Sequence, residues 1–258
     1  MNPLRSLVAL SLLAACSLAI PSASAQATRA DAEKDPVFKA MLEELDRSRA
    51  ELQLPGFEKP FFIQYRISAV ETFETRASFG ATEGSGRGRG RVARVTILVG
   101  DYKNNNAGFG DGVVELAALD DDPIALRSAL WTATDRAYKT ALAAYAQKQA
   151  ELKQVQTPPQ ADDFSQEKPV IWLAAPVPLE VDQAAWTARV ARASGLYRSD
   201  PSVKAIEREI QYCAAVFRAS ATTTWLVNSE GAIVRDSSTL YQENFGVGTQ
   251  AADGMRLN

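Results

Sequence analysis

Arg87, Arg89 and Arg91 alternate with glycine in Gly86-Arg87-Gly88-Arg89-Gly90-Arg91, the local pattern with the plainest chemistry in this chain. On an extended strand successive side chains point to opposite faces, so the three guanidiniums share one side and the glycines the other. Such a row can contact a peptide carboxylate or backbone carbonyls through charge-assisted hydrogen bonds. A disordered arginine-glycine run can also bind RNA, and a row of arginines can equally be a solvated strand end. The formal net charge of −3 supplies no overall field that favours nucleic acid, so no nucleic-acid partner is expected.

Other chemistries are excluded by composition. The 258 residues contain no histidine. A Ser-His-Asp triad, a Cys-His pair and a zinc-binding helix with two histidines therefore cannot be built. Cys213 sits in the strand-like segment Ile210-Gln211-Tyr212-Cys213-Ala214-Ala215-Val216-Phe217, with no base partner evident, and is expected to be buried and inert. Asp120-Asp121-Asp122 lacks the alternate ligand spacing and closing glutamate of a calcium loop. Asp122-Pro123 fits a helix start instead. No residue is assigned a catalytic or metal-binding role.

The first residues have the pattern of an export signal. Arg5 precedes the apolar run Leu7 to Ile20, Pro21 breaks it, and Ala23-Ser24-Ala25 is a small-x-small cleavage site. Residues 1–25 are expected to be a signal peptide cut between Ala25 and Gln26, which places the protein in the periplasm or cell envelope. The run is shorter than the roughly 20 residues of a membrane span. Leu13-Ala14-Ala15-Cys16 offers an alternative lipoprotein route, in which acylated Cys16 would anchor the chain without spanning the membrane. Membrane attachment is expected by that route alone. With the signal removed, Cys213 has no partner for an intrachain disulfide.

The elements that would position these groups follow from periodicity. Asp35-Pro36 opens a helix with Phe38, Met41, Leu42 and Leu45 on one face, ending near Pro55-Gly56. Three strands are expected next, over Phe61–Ala69, Glu71–Ala81 and Gly88–Val99, forming an antiparallel meander whose edges could receive an extended peptide. Tyr102–Asp122 reads as irregular. The longest helix should run from Pro123 to about Val155, with Leu126, Leu130, Ala133, Ala137 and Ala141 inward and Trp131, Tyr138 and Tyr145 widening the stripe. A short strand near Pro169–Ala174 and a helix capped by Asp182 follow, with Trp186 and Val190 inward. Strands are expected within Lys204–Ser220, over Thr222–Asn228 and Ala232–Asp236 around the turn Asn228-Ser229-Glu230-Gly231, and over Leu240–Ala252 with interruptions at Gly246 and Gly248. Segregated helices and strands give an α+β fold, with antiparallel sheets packed against long helices.

Several segments in this order resemble the N-terminal region of the TldD/PmbA family, also described as modulators of DNA gyrase. They are Asp35-Pro36-Val37-Phe38-Lys39-Ala40-Met41-Leu42-Glu43-Glu44-Leu45, Val99-Gly100-Asp101-Tyr102, Ala129-Leu130-Trp131-Thr132-Ala133-Thr134-Asp135 with Tyr138-Lys139, Asp163-Phe164-Ser165 before Glu167-Lys168-Pro169, and Leu226-Val227-Asn228-Ser229-Glu230-Gly231. The resemblance covers most of residues 26–258 and is nearest to exported members. It implies an N-terminal α+β domain that shapes a substrate chamber for peptides or unfolded protein. It also implies a zinc peptidase site on a separate C-terminal domain, and assembly as a homo- or hetero-oligomer with a family member. With no histidine, no position here matches the zinc ligands, so zinc is expected only in a domain beyond Asn258. A stand-alone envelope binding or scaffold module without hydrolysis is the alternative.

Overall fold

The computed structural model describes residues 27–108, 112–154, 161–198, 201, 210–251 and 253–257. The signal segment, including Cys16, Ala25 and Gln26, lies outside the described residues, as does Val155. A single turn, α1 (Arg29–Ala32), leads into α2 (Pro36–Glu51). Asp35 caps α2, its carboxylate accepting from Val37 N at 2.8 Å and Phe38 N at 3.4 Å, and Pro36 stands in the first turn, where a missing N–H costs nothing.

The strands are longer and fewer than the sequence reading expects. β1 (Phe62–Ser78) and β2 (Ala81–Leu98) form one hairpin, in place of a three-stranded meander. Val70, Thr72, Phe73 and Thr75 are β-branched or aromatic, so nothing turns the chain near Glu71. The reversal comes at Phe79-Gly80, where φ is +50° and +85°. Both central residues having positive φ is the primed geometry that suits the twist of a two-residue hairpin. Phe79 takes the unfavourable position while its ring packs edge-on against Tyr197 at 5.9 Å.

β3 (Val113–Leu116) lies in the segment read as irregular, and pairs with Val92–Val95 of β2. α3 (Pro123–Leu152) follows, capped by Asp122, whose carboxylate accepts from Ala125 N at 2.7 Å. Then come β4 (Ile171–Leu173) and α4 (Gln183–Ser194), the latter capped by Asp182. β5 (Ile210–Asn228) and β6 (Ile233–Gln250) form the second long hairpin, with β7 (Arg256–Leu257) beside β6. Gly246 and Gly248 do not break β6; both pair across the ladder with β5. The hairpin turns through Gly231 at φ +97°, as its sequence suggests.

The two hairpins meet through antiparallel pairing of β1 with β5, giving one sheet in the order β3-β2-β1-β5-β6-β4 with β7 on β6. Among the described strands, β4 alone runs parallel to its neighbour, β6. The fold is α+β, and the helices pack on one face of the sheet. Over one end, α2 and α3 bury Phe38, Met41, Leu126, Leu130 and Tyr138 against Tyr65, Ile67, Val95 and Val227. Each such side chain contributes about 1.5–3 kcal/mol by leaving water. Over the other end, α4 buries Val190 against Phe73, Ala77, Ala215 and Phe217, and Trp186 stacks on Phe217 at 3.7 Å. Trp131, expected inward, is 55% exposed: it falls on the outer side of α3, away from the Leu126–Leu130–Ala133 stripe.

The segments that carry the family resemblance tie the sheet together. The second Asp35 oxygen accepts from Trp225 Nε1 at 2.9 Å and pairs with Arg235, joining α2 to β5 and β6. Tyr102 donates to Glu230 at 2.6 Å, and Phe164 packs on Phe62 at 4.8 Å. Ser229 exchanges two hydrogen bonds with the backbone of Ile63. Asp163 binds Lys148 and the Asn105 N–H. Gly100 turns this region at φ +97°, and a β-carbon there would lie 2.3 Å from the Asn104 carbonyl oxygen and 2.9 Å from the Tyr145 ring.

Candidate functional site

The gap between the two helical packs leaves part of the covered face open. Its floor is Ala69 and Glu71 of β1, Arg89 and Arg91 of β2, and Thr223 and Trp225 of β5. Leu119 stands on one side and Pro176-Val177-Pro178 on the other. The cleft holds ≈ 310 Å³. The floor positions follow from register: Ala69 opposes Arg91 and Thr223, and Glu71 opposes Arg89 and Ala221, so all point to one face.

The three arginines of the sequence pattern share this face but do not act alike. Arg91 is 9% exposed. Its guanidinium donates to the carbonyls of Ala118 at 3.1 Å and Asp120 at 2.8 Å, and to the Asp121 carboxylate at 2.8 Å. It also lies 5.8 Å from the centre of the Trp225 ring. Arg91 therefore fastens the loop before α3 to the sheet, and its donors are largely spent on protein acceptors. Arg89 is exposed on the cleft floor and pairs with Glu71 at 3.2 Å. Arg87 lies opposite Phe73, exposed and outside the cleft lining, with no ion-pair partner among the described residues. The acidic run is accounted for in the same way: Asp121 holds Arg91 and Asp122 caps α3.

Chemically the cleft offers an apolar wall, one indole, one exposed ion pair and the hydroxyl of Thr223. It suits a segment with an apolar side chain and hydrogen-bonding capacity. The described residues include no group of three or more His, Cys, Asp or Glu able to hold a metal ion. Tyr65 is the most perturbed phenol, pushed up to about 12 by burial, against the pull of its hydrogen bonds to Ser48 and Thr134. It lies in the core under α2 and α3, not in the cleft. Cys213 is fully buried and donates to the Ser194 carbonyl at 3.1 Å; burial pushes its thiol up, with Arg198 opposing. The cleft walls were missed by sequence reading, because Leu119 and Pro176–Pro178 come together only through the tertiary packing of two loops.

Comparison with solved structures places this architecture. TldE from Thermococcus kodakarensis superimposes over 83% of this chain with a TM-score of 0.50 and 11% sequence identity. The chain has the TldE fold. It spans about 40% of the length of TldE. A candidate modulator of a DNA gyrase from Thermotoga maritima aligns over 84% of the chain at 13% identity and a TM-score of 0.41. A third, also described as a candidate modulator of DNA gyrase, from Bacteroides thetaiotaomicron, aligns over 84% at 7% identity and a TM-score of 0.44. No protein-family model matches the sequence, and no curated protein does.

Proposed function

We propose that this chain is the non-catalytic, substrate-facing part of an exported peptidase of the TldD/PmbA type, acting on peptides or unfolded protein. The observation that carries the reading is the TldE fold in a chain of 258 residues without a single histidine. A zinc peptidase centre of the histidine kind needs imidazole ligands, so on this reading the zinc belongs to a further domain. The role left to these residues is to receive the substrate and to face a related subunit. The long sheet and the cleft beside Arg89 and Trp225 suit that role, because extended chains are recognised by backbone pairing and shallow side-chain pockets.

The test is binding of a permanently unfolded protein, such as reduced and carboxymethylated lactalbumin, by the purified chain, followed by fluorescence anisotropy. Saturable binding that the folded form of the same protein does not compete for is expected. Equal binding of folded and unfolded forms, or none, contradicts the reading. Export is tested separately by mass spectrometry of protein recovered from the envelope. A mature chain beginning at Gln26 is expected, and retention of residues 1–25 contradicts it.

A further inference from the structure

Among the described residues, the outer edge of β2 is unsealed over half its length. β2 runs from Ala81 to Leu98, but its outer neighbour β3 pairs only with Val92–Val95. One more backbone bond, Ala117 N to the Arg91 carbonyl at 3.0 Å, extends the ladder by one position. That bond also fixes the phase of the strand. Both backbone polar groups of an antiparallel residue point to the same side, and the side alternates along the strand. With the Arg91 carbonyl pointing outward, the N–H and C=O of Arg89, Arg87 and Ser85 point outward too. Those of Gly88 and Gly86 point toward β1. Every residue from Ala81 to Arg89 is exposed, and the outward groups of Ser85, Arg87 and Arg89 meet no partner among the described residues.

Folded proteins blunt such an edge with charged side chains, a bulge, a proline or a covering loop, because it is a template for another strand; here the charges are Arg87 and Arg89, which restrict pairing to a strand that compensates them. A bulge is present, but it lies at the far end, where the register with β1 shifts between Arg76 and Ala77. Past it, from Ser85 to Gly90, the pairing with β1 is regular.

The side chains along this edge specify a partner. Arg87 and Arg89 point to the helix-covered face, two positions apart. Arg87 has no ion-pair partner among the described residues, and Arg89 shares one exposed bond with Glu71. Gly88 between them points to the open face and presents no side chain of its own, the Thr72 hydroxyl leaning over it to within 2.8 Å of where a β-carbon would sit. A strand laid against this edge sets its residues directly opposite Arg87 and Arg89 on the arginine face, and the one between them over Gly88. Acidic residues at the outer positions compensate the arginines. A bulky or aromatic residue at the middle one covers the glycine, the arrangement by which bare glycines on sheets are shielded. Pairing of two copies centred on this stretch instead sets arginine against arginine, which is unfavourable.

We propose that the Ser85–Gly90 edge of β2 is a strand-addition site for an extended polypeptide segment of the pattern acidic–bulky–acidic. This deepens the substrate-facing reading given above and rests on it for the identity of the bound chain as peptide. The recognition is by backbone pairing, so it tolerates sequence variation outside those three positions.

The test uses the whole chain and a fluorescein-labelled peptide with a Glu-Phe-Glu centre flanked by threonines. Two versions carry N-methyl groups on alternate backbone amides, one set facing β2 and the other facing away. The unmodified peptide is expected to bind, and one of the two methylated versions is expected to bind about tenfold more weakly while the other does not change, as the loss of a few backbone hydrogen bonds requires. A double variant, Arg87→Glu with Arg89→Glu, is expected to lose the Glu-Phe-Glu peptide and to gain a Lys-Phe-Lys counterpart. The methylation series leaves the protein untouched, so it decides the matter even where the variant misfolds. Equal binding of both methylated peptides, no binding of the parent peptide, or a dimer formed through β2 of two copies overturns the proposal. If the edge probes fail while unfolded protein still binds, the site falls and the broader reading stands.

Discussion

Asp35 joins three elements of this fold through one carboxylate. One oxygen caps α2 and the other receives Trp225 and Arg235, so one side chain joins a helix end to two strands. Asp35→Ala removes a cap worth about 0.5–2 kcal/mol and leaves a buried indole N–H and a guanidinium short of a partner at about 1–3 kcal/mol. A loss of about 2–4 kcal/mol in urea unfolding is expected; a loss below about 1 kcal/mol contradicts the assignment. Asp163 gives a pH dependence. Burial pushes its pKa up, but Lys148 and the Asn105 N–H outweigh this and hold it below the ordinary value. A carboxylate with a lowered folded pKa contributes stability that is present above its unfolded value and lost as pH falls through the folded one. Wild type should therefore exceed Asp163→Asn by about 1–3 kcal/mol at neutral pH, with the gap closing below about pH 4. A gap that persists in acid contradicts this. Cys213, its thiol pushed up by burial, should not react with a disulfide reagent until the chain is unfolded. Reaction in the folded state at the rate of a free thiol contradicts the burial.

At the scale of elements, the caps and the apolar stripes were legible from sequence and the strand lengths were not. Asp35-Pro36, Asp122-Pro123 and Asp182 each start a helix because a short acceptor and a preset φ act locally, within one turn. The Asn228–Gly231 hairpin was legible for the same reason. The Phe79-Gly80 reversal was not, since phenylalanine is a poor turn residue and its packing against Tyr197, Ile210 and Cys213 is tertiary. β3 was hidden in a glycine-rich stretch, and its pairing with β2 is a tertiary fact. Of the candidate site, the arginine row and its shared face were readable from the period of two. The division of labour within the row was not, because Arg91 is held by a loop about thirty residues away in sequence. The turn supplies a prediction at this scale: Gly80→Ala must place a β-carbon at φ +85°, costing about 1–2 kcal/mol. Thermal unfolding should show the drop, and no change in Tm contradicts the primed-turn geometry.

For the whole molecule, the sheet divides its labour by face and by edge. One face is packed by α2 and α3 at one end and α4 at the other, the gap between them forms the cleft, and the outer edge of β2 over Ser85–Gly90 meets no strand among the described residues. None of these surfaces brings together a nucleophile, a base and a metal site among the described residues. The TldE fold is shared at 11% identity, so what the two have in common is the layer arrangement, with side-chain chemistry free to change. On the function proposed above, this chain receives peptide and a zinc centre elsewhere does the cutting. Incubation of the purified chain with labelled unfolded protein, with and without a chelator, tests that most directly. The expected result is binding with no cleavage and no effect of the chelator; cleavage that the chelator abolishes would contradict it.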